Sequence, residues 1–347
     1  MKRILFLTLI LLAVSLACQA LQPAPAPTPT VIPTFTASPL PTLTPTLTAT
    51  LPPPTLQPLT CADDSCLQAC LDRIKVVLAT QPFASIADSQ DESKVVNLAK
   101  YKVSGDMIDP LSKLSVPSDY LTYQQDTDSH HRIWDYFVAI LPADQRARIN
   151  EYLVFTDGKS NIQAWVRRSP SDPDKWFLGA DLLDSRNPVL LTETLIHEFG
   201  HLLTLNTDQL EAGGKYSYVE RQGVGDCPQY STRNGCTTPD SYLNQFYLKF
   251  WKRIYPEWYK NVYQGGRGLD WGLVNGFYRR YPDQFNTTYS AASPEEDMAE
   301  TFALFILNPQ PVSDSIAAQK IFFFYDYPEL VELRQSIIQG ICAYVQE

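Results

Sequence analysis

Residues 187–206 read NPVLLTETLIHEFGHLLTLN, and this stretch decides the fold. Asn187 is a good N-cap and Pro188 suits a first helical turn, so the spacing predicts a helix over 188–204. Leu191, Leu195, Phe199 and Leu202 fall close to one apolar stripe of that helix. Inside it lies His197-Glu198-Phe199-Gly200-His201, an HExxH pentapeptide. Positions i and i+4 stack on one helix face, so both imidazoles can reach a single zinc ion. Glu198 then projects close enough to act on a water there as general base. The chain has only four histidines, which makes two of them flanking a glutamate at this spacing informative. The competing reading is a pair of polar residues on a solvated helix face.

Working towards the N-terminus, 66–80 (CLQACLDRIKVVLAT) has helical apolar spacing. The stretch from about 130 to 185 reads as strand-rich. Tyr152–Thr156 and Ile162–Val166 flank Asp157-Gly158-Lys159-Ser160, the pattern of a hairpin. Lys175–Leu182 is a third strand, and as the last before the helix it is expected to form the upper rim of a cleft. A peptide could add to its edge through main-chain hydrogen bonds. His130 and His131 read as loop residues away from any metal. The class expected is α+β, with a strand-rich N-terminal lobe, an HExxH helix and a mainly helical C-terminal lobe. That is the order of a zincin-like metallopeptidase.

Such a centre needs a third protein ligand and an open position for water. Thr204 and Thr207 stand where a metzincin has glycine and histidine, and no histidine follows His201, so a downstream carboxylate is expected. In Ser293-Pro294-Glu295-Glu296-Asp297-Met298-Ala299-Glu300, serine and proline start a helix that runs to Asn308-Pro309. Glu296 and Glu300 are four apart on one face. One can bind the metal while the other orients a ligand histidine. Ser293 and Glu296 also fit a capping box, in which Glu296 would only close the helix start. Glu295 and Asp297 are weaker ligand candidates, about a hundred degrees of helix away from Glu296. Glu193, one turn before His197, could orient its ring or simply be an exposed helix residue.

HEFGH at 197–201, followed by Tyr289, Glu296 and Glu300 within a helix ending AExF, resembles the anthrax lethal factor-type zinc peptidases, which include the smaller Pro-Pro endopeptidases. The resemblance covers the HExxH helix and 289–302. It implies a zinc peptidase with His197, His201 and Glu296 as ligands, Glu198 as catalytic base and Glu300 as the acidic residue one turn later. Tyr289 matches the active-site tyrosine, a donor to the oxyanion. The departure is the separation of 95 residues between His201 and Glu296, longer than that family's. The excess holds the Cys227–Cys236 loop and the aromatic stretch Ser241–Tyr263, either of which could wall or cover a cleft. Substrate preference therefore does not transfer.

The chain ends set the compartment. Lys2 and Arg3 precede an apolar run, Ile4–Val14, and Ser15-Leu16-Ala17-Cys18 resembles a bacterial lipobox. Residues 1–17 read as a lipoprotein signal peptide, with Cys18 the lipidated anchor on the membrane and the rest extracytoplasmic, in the cell envelope. An uncleaved anchor is the alternative, although the run is short for one. Residues 18–60 form a Pro/Thr-rich stalk, uncharged from Ala20 to Thr60 and of polyproline II character. Residues 61–347 make the catalytic domain. The formal charge is -10, and no basic run offsets it, which argues against nucleic acid as a partner. Cys61, Cys66, Cys70, Cys227, Cys236 and Cys342 are an even set in an exported chain. Cys227 should pair with Cys236, and one of the N-terminal three with Cys342. The leading functional expectation is a zinc-dependent peptidase acting on proteins or peptides. Its rivals are an inactive zincin-fold binding module displayed on the surface and a non-peptidase zinc hydrolase.

Overall fold

Five strands share one sheet because their buried positions demand neighbours of different kinds. They are β1 (Val96–Ser104), β2 (Met107–Ser112), β3 (Ile149–Thr156), β4 (Ala164–Arg168) and β5 (Trp176–Asp181). The computed structural model describes residues 64–80, 94–158, 162–211, 227–263 and 269–345. The expected signal at 1–17, the stalk at 18–60, Cys18 and Cys61 lie outside the described residues. Sheet order is β2-β1-β3-β5-β4, with β3 and β5 parallel and the other pairs antiparallel.

The expected hairpin between 152–156 and 162–166 does not form, because β5 lies between β3 and β4. Burial explains this. In β5 five of the six residues are buried, Phe177 being the exception, and a strand of that kind needs a partner on each side. β4 is only partly buried past Ala164 and suits an edge. The last strand before the motif helix is therefore internal, and β4 forms the rim instead. The Trp165 indole lies across Gly179 so closely that a Cβ there would collide with the ring unless the indole moved.

Helices supply the rest: α1 (Asp64–Thr80), α2 (Leu121–Gln125), α3 (Thr127–Ile140), α4 (Pro188–Leu205), α5 (Tyr242–Phe246), α6 (Tyr255–Trp258), α7 (Trp271–Arg280), α8 (Pro294–Leu307), α9 (Ile316–Tyr325) and α10 (Pro328–Tyr344). With the mixed sheet they make an α+β fold. π-Helical turns at Tyr247–Trp251 and Tyr259–Tyr263 continue α5 and α6, and this aromatic segment buries Trp251 and Trp258 edge to face, 5.9 Å apart.

α3 replaces the loop expected around His130 and His131. Ile133, Trp134, Phe137 and Ile140 bury one of its faces, and Trp134 packs 5.4 Å from Tyr152 of β3. His130 is fully buried, with Nδ1 2.7 Å from the Tyr101 hydroxyl and Nε2 2.9 Å from the Tyr123 carbonyl. His131 is exposed. The Cys70 and Cys342 sulfurs lie at disulfide distance, 2.07 Å, joining α1 to α10, and those of Cys227 and Cys236 do likewise.

Two details bring α4 and α8 together. Asn187 accepts from the Leu190 N–H at 3.2 Å and Ser293 from the Glu296 N–H at 3.2 Å, so each helix starts where its cap residue lies. At their crossing a Cβ on Gly200 would stand 3.2 Å from the Ala299 Cα. The glycine inside HEFGH lets the two backbones approach this closely.

Candidate metal centre and cleft

One turn of α4 and one turn of α8 face each other across that crossing. His197 Nε2 and His201 Nε2 are 3.1 Å apart, and Glu296 Oε2 is 3.3 and 3.2 Å from them. These atoms belong to a His197, His201 and Glu296 group that could hold a metal ion. Two imidazoles and a carboxylate suit zinc, and tetrahedral bonds of about 2.0–2.2 Å place donor atoms about 3.3 Å apart. The three distances fit that requirement. Ser293 caps the helix through the Glu296 N–H, but the Glu296 carboxylate turns to the histidines and not back to the cap, so only half of a capping box forms.

The remaining candidates separate by direction. Glu300 Oε1 lies 3.1 Å from His197 Nδ1, while its Oε2 accepts from the Thr287 hydroxyl at 2.7 Å. Glu193 is exposed, so the contact with His197 belongs to Glu300. Asp297 points into the opposite side of α8, where Lys320 approaches to 2.5 Å and Trp251 Nε1 donates at 2.7 Å. Glu295 accepts from the Tyr230 hydroxyl at 2.9 Å. Glu198 Oε2 accepts from the Val166 N–H at 2.9 Å, which ties the motif glutamate to the rim strand β4. The Tyr289 ring stands 5.7 Å from His197 and stacks on Trp271 at 5.6 Å.

Electrostatics here favour positive charge where the donor atoms meet. Burial works against protonating His197, yet Glu296 and Glu300 beside it push it up to about 10. His201, partly buried, is likewise raised, by Glu296. Burial would raise Glu296, but His201 and His197 hold it well below the usual carboxylate range. Glu198 is raised by burial. Burial, with the charges of Glu296, Glu198 and Glu300, holds the Tyr289 phenol far above its ordinary value, so its hydroxyl keeps its proton. The carboxylates thus favour a positive charge at this point, which a divalent cation could supply.

Comparisons with protein-family models, with curated proteins and with solved structures find no match. The site is accordingly read from its own geometry.

Two cavities flank the centre along the β4 edge. One, of about 650 Å³, is lined by Arg167, Arg168, His201, Arg233 and Glu296; the other, of about 980 Å³, by Ala164, His197, Glu198, Tyr289 and Leu304. The Cys227–Cys236 loop does wall the cleft. Its tip, Thr232–Asn234, reaches the first cavity, and Arg168 Nη1 donates to the Asn234 carbonyl at 2.8 Å. From the aromatic stretch, Trp258 and Tyr263 line the same cavity. Sequence reasoning missed Val166, Thr287 and Trp271. Val166 acts through a backbone N–H, which leaves no side-chain signal. Thr287 sits two positions before Tyr289 and bonds the half-buried Glu300, a pairing that no local spacing announces.

Proposed function

We propose that the chain is an extracytoplasmic, zinc-dependent metallopeptidase of zincin-like fold, anchored through a lipidated Cys18 and acting on proteins or peptides. The observation that carries this reading is the convergence of His197 Nε2, His201 Nε2 and Glu296 Oε2 at 3.1–3.3 Å beside Glu198 and β4, a strand at the edge of the sheet. The resemblance of 197–201 and 289–302 to lethal factor-type peptidases supports the same assignment.

His197, His201 and Glu296 would hold the zinc ion, and Glu300 would orient His197 through Nδ1. When bound, the ion supplies Lewis acidity towards a carbonyl and lowers the pKa of a water. The substrate backbone lies along β4, the outer strand of the sheet, as an added strand. Glu198 takes the proton of the attacking water and passes it to the leaving amine nitrogen. The Tyr289 hydroxyl donates a hydrogen bond to the oxyanion as it develops.

The test is cleavage of a diverse peptide mixture by the purified zinc-loaded protein and by Glu198→Gln, with product ends read by mass spectrometry. The expected result is cleavage by the wild type and a loss of at least about 100-fold in the variant, with zinc retained. A folded, zinc-loaded wild type that cleaves no peptide would overturn the assignment. So would equal cleavage by the variant.

A further inference from the structure

The two cavities beside the centre differ in charge. On the His201 side, Arg167, Arg168 and Arg233 line the cleft, with Glu295 and Glu296 as the opposing charges, the first bonded to Tyr230 and the second turned to the histidines. On the His197 side the wall carries Glu193 and Glu300, with Lys75 the opposing charge, over an apolar floor that includes Leu304. Three arginines in one cleft stand out on a chain of formal charge -10. Their placement is built. Arg168 is anchored by bonds from Nε to the Pro173 carbonyl at 2.7 Å and from Nη1 to the Asn234 carbonyl at 2.8 Å. The second bond pins the turn that presents Arg233, and Cys227–Cys236 closes the same loop from behind. Arg167 stacks its guanidinium 4.8 Å over the Trp165 ring, which leaves it exposed but held at the strand edge.

Strand direction converts this asymmetry into substrate polarity. β4 runs from Ala164 in the second cavity to Arg167 and Arg168 in the first. A peptide pairing antiparallel to its edge runs the other way, entering by the arginines and leaving past His197. Its residues before the scissile bond then face the arginines, and those after it face the more acidic wall.

Resting on the peptidase reading, we infer that the substrates carry aspartate or glutamate on the N-terminal side of the cleaved bond, recognised by Arg167 and Arg233 with Arg168 as the fixed support. Arginine suits that task because its planar donor fork matches a carboxylate. The interaction is between exposed charges, so it sets selection more than raw affinity and weakens as salt rises.

Binding separates this inference from the reading beneath it. The zinc-loaded Glu198→Gln protein would be titrated into two fluorescein-labelled peptides, identical except for an acidic or a basic N-terminal half, and followed by anisotropy. The acidic peptide should bind about tenfold tighter at low salt, and Arg167→Glu with Arg233→Glu should abolish or invert the preference. Both residues are exposed at the cleft edge, so the variant should fold normally, checked by its unchanged zinc content. Equal binding of the two peptides, or a preference untouched by the charge reversal, would overturn the inference even if the wild type cleaves. A charge preference without wild-type cleavage would sink the peptidase reading, and with it the placement relative to a cleaved bond, leaving a cleft that binds acidic peptides.

Discussion

Glu296 and Asp297 are neighbours on α8, the first partly and the second wholly drawn out of water, and they meet that burden in opposite ways. Asp297 is fully buried and has its cation built in: Lys320, itself fully buried, approaches to 2.5 Å, and Trp251 adds a hydrogen bond. Glu296 faces two histidines, and Glu300 stands one turn on; no lysine or arginine pairs with either among the described residues. The first face is a finished electrostatic structure. The second is complete only when a positive charge arrives, as protons or as a metal ion. A charge drawn out of water demands a partner, and on the second face the group that could supply one is the His197, His201 and Glu296 set, which could hold a metal ion.

Removing the built-in cation should give the largest effect. Lys320→Met leaves Asp297 uncompensated and should destabilise the fold by about 3–5 kcal/mol in urea unfolding. Adding Asp297→Asn to that variant should recover a large part of the loss, because no buried charge is then left alone. If Lys320→Met unfolds like wild type, the first face is not what its geometry says.

The histidine face is sharpened by Glu300→Gln. Glu300 touches His197 Nδ1, so losing its charge should weaken zinc binding by about 10–100-fold, measured by competition with a chelator. Global stability of the metal-free protein should change little. An unchanged zinc affinity would reduce Glu300 to a neighbour.

Asp181 adds a third answer to the same problem, and its effect should be the smallest. Among the described residues no cation pairs with it; it is held by the N–H groups of Asp157, Leu183 and Asp184, while burial pushes its carboxyl up to about 7. A folded value above the unfolded one near ~4 means that the stabilising proton is fully present in acid. That contribution is lost as pH rises from about 4 through about 7. Wild type should therefore lose stability across this window more steeply than Asp181→Asn, whatever the variant's overall stability. Parallel pH profiles of the two would remove Asp181 from this group.

How far each face can be read without coordinates follows the same division. α4 and α8 are announced locally, by Asn187-Pro188, Ser293-Pro294 and the four-residue spacings of His197/His201 and Glu296/Glu300. The pairing of Asp297 with Lys320 is not local, because 23 positions separate them in the chain. Its only trace is a lone lysine directly before the apolar run Ile321–Tyr325. Strand order failed for a similar reason. The turn after Thr156 has the composition of a hairpin, yet the buried β5 takes the central place and moves β4 to the rim. β1 and β2 went unread, and with them Tyr101, the residue that fixes His130 in the core.

The central claim is that the histidine face is a metal centre. The most direct measurement is metal content after equilibrium dialysis against zinc, for wild type and for Glu296→Gln. Wild type should retain about one tightly held zinc ion per chain, and the variant should lose it at chelator concentrations the wild type withstands. A wild type that retains none, or a variant that holds zinc as firmly as wild type, would contradict the account.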